Sequence, residues 1–226
     1  MDGRIADEQM TELDIFVTGI SSPSGGGKTA VAKRVSELLP DAVTLFFDDY
    51  EPDTVHPASI RQWLEEGANY NDWKTPKLKD DLTELKAGQA IVSPVDGLTI
   101  NPRMYVVFDS PFGYAHAETG GLIDLMVFID TPLDVAMARR LLRDFSSASV
   151  DNFGTNIGRL TAELIAYLDY GRQAYLEMDK QIKPICDLLI DGCSAVDDLA
   201  EEVVRAKRTR TAEPLSCENA RNAPRR

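Results

Sequence analysis

The stretch Gly19-Ile20-Ser21-Ser22-Pro23-Ser24-Gly25-Gly26-Gly27-Lys28-Thr29 constrains this chain more than any other. A short apolar run, Ile15-Phe16-Val17, precedes it, and Ala30–Leu39 follows with apolar residues at helical spacing. Strand, glycine-rich loop and helix are the setting in which a backbone cage binds phosphate. Glycines let successive N–H groups turn toward an anion, and the helix N-terminus adds its partial positive charge. The candidate nucleotide contacts are Ser22, Ser24, Gly25, Gly26, Gly27, Lys28, Thr29 and Ala30. Lys28 would reach the β- and γ-phosphates, and the Thr29 hydroxyl would ligate Mg²⁺. The register departs from Gly-x-x-x-x-Gly-Lys-Ser/Thr at one place: Ser22 stands where the first glycine belongs, and Gly19 lies too early to replace it. A flexible surface turn with Lys28 in solvent is the alternative. A Gly-Gly-Gly-Lys-Thr run between a strand and a helix has few other uses.

The rest of the chain alternates strands with helices. Strands are expected near Leu13–Gly19, Ala42–Phe47, Met104–Asp109, Leu125–Asp130 and Cys186–Ile190; helices near Lys28–Leu39, Ser59–Glu66, Leu78–Leu85, Thr131–Phe145 and Val196–Ala206. Thr131 would cap its helix and Pro132 would open it. A further long helix would carry Leu160, Leu164, Leu168, Tyr175, Met178 and Ile182 on one stripe. This alternation predicts an α/β fold: a parallel sheet covered on both faces, with ligands at the carboxyl ends of the strands. Residues 1–12 read as a polar lead-in, 13–206 as one domain with an insertion at about 51–103, and 207–226 as a disordered basic tail.

Composition narrows the partners. A net charge of −13 argues against non-specific binding to nucleic acid or anionic membrane. The 3 cysteines have no zinc-like spacing and make no even set, which suggests a reducing compartment. The first residues show no apolar leader, and no run reaches membrane-spanning length. A cytoplasmic protein is expected, with oligomeric state open.

Two acidic strand ends fall where the topology predicts a ligand. Asp48 ends the second strand and could orient an acceptor hydroxyl, take its proton, or hold Mg²⁺. Asp49 and Tyr50 beside it are candidate acceptor contacts. Asp109 closes a Val-Val-Phe strand and is a candidate support for Mg²⁺. Arg139, Arg140 and Arg143 share one helix face, either as a solvated basic patch or as a clamp on the transferring phosphoryl group.

Taken in order, the glycine-rich loop, Asp48-Asp49-Tyr50, Val106-Val107-Phe108-Asp109, and Phe128-Ile129-Asp130-Thr131 leading to Arg139-Arg140-Leu141-Leu142-Arg143-Asp144 resemble the uridine kinase and phosphoribulokinase family. Nicotinamide riboside and pantothenate kinases are relatives of that family. The resemblance runs from about Ile15 to Ala206. It implies a P-loop NTPase fold of nucleoside-monophosphate-kinase type, with five parallel strands and a lid at about 139–160. It also implies ATP and Mg²⁺ as cofactors, and transfer of the γ-phosphate to a hydroxyl of a nucleoside-like or sugar-like small molecule. Asp48 takes the place of the family's base, Lys28 and Thr29 its phosphate and metal contacts, and Arg140 and Arg143 its lid arginines. The loop bearing Tyr70, Asp72 and Trp73 falls where the family builds its acceptor pocket. Residues 145–151 lack the arginines that usually follow the lid's Arg-Asp, and Ser93–Gly97 lacks the family's base-contacting histidine. A slow nucleotide switch, or a member that binds without catalysis, is the alternative.

Overall fold

In the computed structural model, residues 14–146 and 153–212 are described. Strand β1 (Phe16–Ser21) is buried along nearly its whole length, as an apolar run must be when helices cover both faces of a parallel sheet. It leads through the glycine loop into α1 (Lys28–Leu38), and the chain returns through β2 (Ala42–Phe46). A 3₁₀ turn at Phe47–Asp53 then opens the insertion. The insertion holds α2 (Ile60–Glu65), a short turn at Tyr70–Asp72, α3 (Pro76–Lys86), and a hairpin of β3 (Ile91–Val92) and β4 (Thr99–Ile100). Beyond it come β5 (Tyr105–Asp109), β6 (Leu125–Asp130), α4 (Leu133–Phe145), α5 (Phe153–Ala166), α6 (Arg172–Gln181), β7 (Leu188–Asp191) and α7 (Val196–Ala212).

Five of these strands form one sheet in the order β2-β5-β1-β6-β7, every pair parallel. Alternate residues of each strand feed opposite cores. Val107, Val127 and Ile129 face α1 and α7, whereas Val106, Phe108 and Met126 join Leu78, Leu82 and Leu85 of α3. A third cluster, with Trp63, Tyr70, Phe128, Met178 and Ile182, ties the insertion and α6 to the sheet.

Three sequence expectations change here. The long helix is interrupted by a π turn at Tyr167–Gly171, which rotates the residues after it relative to those before. Leu164 and Leu168 therefore leave the stripe shared by Tyr175, Met178 and Ile182; Leu168 is 80% exposed. Thr131 is not the cap of α4, because its hydroxyl donates to the Gly26 carbonyl at 2.9 Å and Pro132 holds the cap position. The tail does not begin at residue 207, since α7 runs on to Ala212. Lys207 is the reason: it is only 7% exposed, and its ammonium lies 3.7 Å from the Tyr105 ring centroid and 6.0 Å from that of Phe16. Arg210, one turn on, pairs with Asp187 at 2.7 Å. The rest of the expected tail, the lead-in and part of the lid at 147–152 lie outside the described residues.

Because Lys207 packs its stem and its charge on two rings, Lys207→Ala is expected to cost about 1–2 kcal/mol. Thermal unfolding should show this as a Tm lowered by roughly 2–8 °C.

Candidate active site

The sheet order brings the chemistry together. With β5 between β1 and β2, Asp109 is the register partner of Ile20 on one side and of Phe46 on the other. It thus stands between the glycine loop and Asp48, which follows β2 by two residues. All three border one cavity of about 630 Å³.

The loop is held by close backbone approaches. Gly25 has φ +84°, and a Cβ there would sit 2.1 Å from the Ala136 carbonyl oxygen of α4. Gly27 has φ +108° and begins α1. Gly26 donates its N–H to Pro23 at 2.8 Å, so this glycine braces the loop from within and does not line the cavity. Ser22, the departure from the motif, is buried and donates its hydroxyl to Pro23 at 3.0 Å. A Cβ on Gly26 would come within 2.5 Å of that Ser22 oxygen and 2.8 Å of the Pro23 carbonyl oxygen, so the turn leaves room for glycine alone. Ser22, Ser24, Gly25, Gly27, Lys28, Thr29 and Ala30 line the cavity. The first intrahelical bond of α1 is Val31 N–H to Gly27, which leaves the amides of Lys28, Thr29 and Ala30 without helical partners. Lys28 folds back over the loop and donates to the Ser22 carbonyl at 3.2 Å.

Beside this loop, the Thr29 hydroxyl donates to one Asp109 oxygen at 3.0 Å. The other Asp109 oxygen is buried and has no hydrogen-bond partner among the described residues. Burial pushes the Asp109 carboxyl above its ordinary range; the Lys28 charge and the Thr29 bond oppose this, and Asp48 and Asp49 add to it. A buried carboxylate oxygen lacking a partner, next to a hydroxyl, suits a hard cation such as Mg²⁺. No group of three or more His, Cys, Asp or Glu side chains suited to a metal occurs among the described residues.

The opposite wall is α4. Arg139 donates to the Gly192 carbonyl at 2.9 Å, Arg140 to the Tyr175 hydroxyl at 3.0 Å and to Glu163, and Arg143 to Asp144 at 2.7 Å. All three border the cavity. Arg159 lies over the Phe145 ring at the end of α4, 5.6 Å from its centroid.

The far half of the cavity is aromatic. Phe112 packs against Phe47, Tyr70, Trp73 and His116, with ring centroids between 5.1 and 5.6 Å. Trp63 meets Tyr70 at 5.3 Å and Trp73 at 6.3 Å. His116 is buried; its Nδ1 pairs with the Thr119 hydroxyl at 2.9 Å and its Nε2 with the Trp73 carbonyl at 3.0 Å. Burial lowers its pKa, with the Lys74 charge helping, while the Trp73 bond and Glu118 oppose.

Among the sequence candidates, Asp48, Asp109, Tyr70, Trp73, Arg140 and Arg143 border this cavity. Tyr50 does not. It is 1% exposed and donates its hydroxyl to the buried carboxylate of Asp81 at 2.9 Å, so it anchors the turn that carries Asp48. Asp72 is exposed outside the cavity, where it accepts from the Asn69 amide at 3.1 Å. Asp49 also stands outside; burial and the neighbouring Asp48 charge push its carboxyl up, and Lys33 opposes. Sequence reasoning missed Trp63, Phe112, Glu163, Tyr167 and Tyr170. The signal for Phe112 was its place just past the Asp109 strand end. For Tyr167 and Tyr170 there was none, because the π turn that brings them in has no sequence signature.

No family model matches the chain. A uridine kinase of Borreliella burgdorferi (strain ZS7) is 29% identical over 188 residues, covering 77% of this chain and 85% of that protein. A uridine kinase of Brevibacillus brevis is 25% identical over 184 residues, covering 76% and 82%. This chain is similar to uridine kinases. A uridine kinase-like chain with this loop and sheet supports a P-loop, small-molecule phosphotransferase. Among solved structures, shikimate kinase from Acinetobacter baumannii in complex with shikimate matches with TM-score 0.49 at 16% identity, over 89% of this chain and 97% of that one. A possible uridine kinase from Bacillus stearothermophilus matches with TM-score 0.45 at 15% identity, over 78% and 89%. Overlaps this loose add nothing to the argument, and the fold rests on the sheet order above. No helix among the described residues is long and apolar enough to cross a membrane.

Two outcomes follow. Gly25→Ala forces a Cβ into the α4 backbone, so ATP binding measured by calorimetry should weaken at least tenfold, on the order of 1.4 kcal/mol. His116, held neutral in the fold, has a pKa below its ordinary 6.5. Below that pH the unfolded chain takes up a proton that the fold resists, so this contribution to stability is lost as pH falls. The Tm advantage of wild type over His116→Gln should therefore shrink between about pH 7 and pH 5.

Proposed function

We propose that this chain transfers the γ-phosphoryl group of ATP, with Mg²⁺, to a hydroxyl of a small acceptor that is nucleoside-like rather than sugar-like. The carrying observation is that Lys28, Asp109 and Asp48 border the same cavity whose far half is walled by Trp63, Tyr70, Trp73 and Phe112. A phosphate cradle alone would serve a nucleotide switch; an aromatic compartment adjoining the base gives a second substrate a place to lie. Flat rings favour a planar acceptor over a polyol.

In this reading the loop amides and Lys28 hold the β- and γ-phosphates. Thr29 and Asp109 would hold Mg²⁺, whose charge would neutralise the phosphate oxygens. Asp48 takes the proton of the acceptor hydroxyl, while Arg140 and Arg143 stabilise the transferring group. Positioning and charge neutralisation supply most of the rate, because phosphoryl transfer asks for little covalent chemistry from the protein. Reducing conditions in the cytoplasm suit Cys186 and Cys193, which form no disulfide among the described residues.

Asp48→Asn should lower acceptor-stimulated ADP release by roughly 10²–10⁴-fold while ATP affinity is kept. A switch protein would instead show slow hydrolysis that no acceptor stimulates and that Asp48→Asn leaves unchanged.

A further inference from the structure

Resting on the kinase reading, we infer that Glu163 and Tyr175 are positioning residues: they hold the Arg140 guanidinium in the pose that meets the transferring phosphoryl group. In this role both act through Arg140.

The arginines of α4 that border the cavity are held in different ways. Arg139 donates to the Gly192 carbonyl just beyond β7. Arg143 pairs with Asp144, the residue beside it, and its side chain is 62% exposed. The Arg140 side chain is only 15% exposed and is gripped from two other elements. One terminal nitrogen donates to the Tyr175 hydroxyl of α6 at 3.0 Å, and the other to the Glu163 carboxylate of α5. A guanidinium so far out of water needs a charge partner, and Glu163 is the carboxylate paired with it among the described residues.

The two partners stand on either side of the π turn at Tyr167–Gly171. Along a helix they are separated by roughly three turns, or about 18 Å of rise. Arg140 therefore ties α5 to α6 across that turn. The Tyr167 ring, from within the turn, backs the Tyr175 ring with centroids 6.4 Å apart.

A guanidinium carries its N–H donors in a rigid fork, so fixing one on each terminal nitrogen orients the rest. Arg140, Glu163 and Tyr175 border the same cavity as Lys28, Thr29 and Asp48. With the fork set beforehand, no reorientation is needed as charge develops on the transferring oxygens. A free arginine would have to give up the rotamer freedom of a long side chain at that moment. Glu163 also brings a negative charge toward the phosphates. If charge were its chief effect, removing it would tighten phosphate binding. Positioning predicts the opposite sign, and this separates the two.

The test uses the full chain with Mg²⁺ and compares ADP alone with ADP plus fluoroaluminate, a complex that imitates the transferring phosphoryl group and needs no acceptor. Trp63 and Trp73 border the cavity, so intrinsic fluorescence follows both titrations. Glu163→Ala is expected to weaken the fluoroaluminate complex roughly 10- to 100-fold, while ADP affinity changes by less than about twofold. Glu163→Gln, whose amide oxygen still accepts, should recover most of that loss. Tyr175→Phe, which keeps the ring, should weaken the same complex roughly three- to tenfold. In an Arg140→Ala background, Glu163→Ala should add less than about a twofold change, because its partner is already gone.

The inference is overturned if Glu163→Ala leaves fluoroaluminate affinity unchanged or raises it, or if ADP affinity falls as far. It is overturned equally if Glu163→Gln is as weak as Glu163→Ala, or if the effect persists in full without Arg140. Should Glu163→Ala fail to fold, Tyr175→Phe decides, and an unchanged fluoroaluminate affinity there sinks the inference. In each of these cases wild type still gains from fluoroaluminate and the kinase reading survives. That reading fails separately, and takes the inference with it, if fluoroaluminate adds nothing to wild-type ADP binding and no acceptor stimulates ADP release.

Discussion

The insertion of β5 between β1 and β2 is the constraint on which this site depends. Parallel strands joined by crossovers need not neighbour one another in sequence order, and here β2 is displaced by one position from β1. The gap is filled by a strand that ends in Asp109. The acidic group therefore sits between the phosphate cradle and Asp48, where Thr29 can bond one of its oxygens and leave the other without a partner. Pairing β1 directly with β2 would set Asp48 against the loop and remove Asp109 from between them.

Around that axis the protein uses close backbone contact in place of side-chain contact. Gly25 presses on the Ala136 carbonyl, and Thr131 reaches back to the Gly26 carbonyl. The loop is thus clamped to the start of α4, the same helix that carries Arg139, Arg140 and Arg143. These two contacts fix the loop directly against the segment that carries the arginines. Glu163 and Tyr175 hold Arg140 from the opposite side of the cavity.

The aromatic compartment is built differently, from the insertion and α6 together. Its members come from separate segments: Trp63 from α2, Tyr70 and Trp73 from the following turn, and Phe112 from the loop after β5. The π turn at Tyr167–Gly171 completes it, and such turns often occur at functional sites because they offset a helix face by one residue. Phe112 also meets the ring of Phe47, the residue before Asp48, so the rings run up to that acidic strand end.

By itself the sequence determined the local chemistry: a glycine-rich loop between a strand and a helix, acidic strand ends at Asp48 and Asp109, and three arginines on one helix face. Those features depend on residues near in sequence, where spacing and propensity decide the outcome, so the fold class and the phosphate half of the cavity were legible. Only the tertiary structure decided which neighbours of those residues face the cavity. Tyr50 and Asp72 lie within a few residues of cavity-lining groups, yet Asp81 and Asn69 hold them elsewhere. Tyr167 and Tyr170 are drawn in by a single extra residue of helical turn, and Lys207 extends the last helix because two rings from different strands meet beneath it. Each of these outcomes depends on a partner distant in the chain, and contacts of that kind leave no period or motif to read.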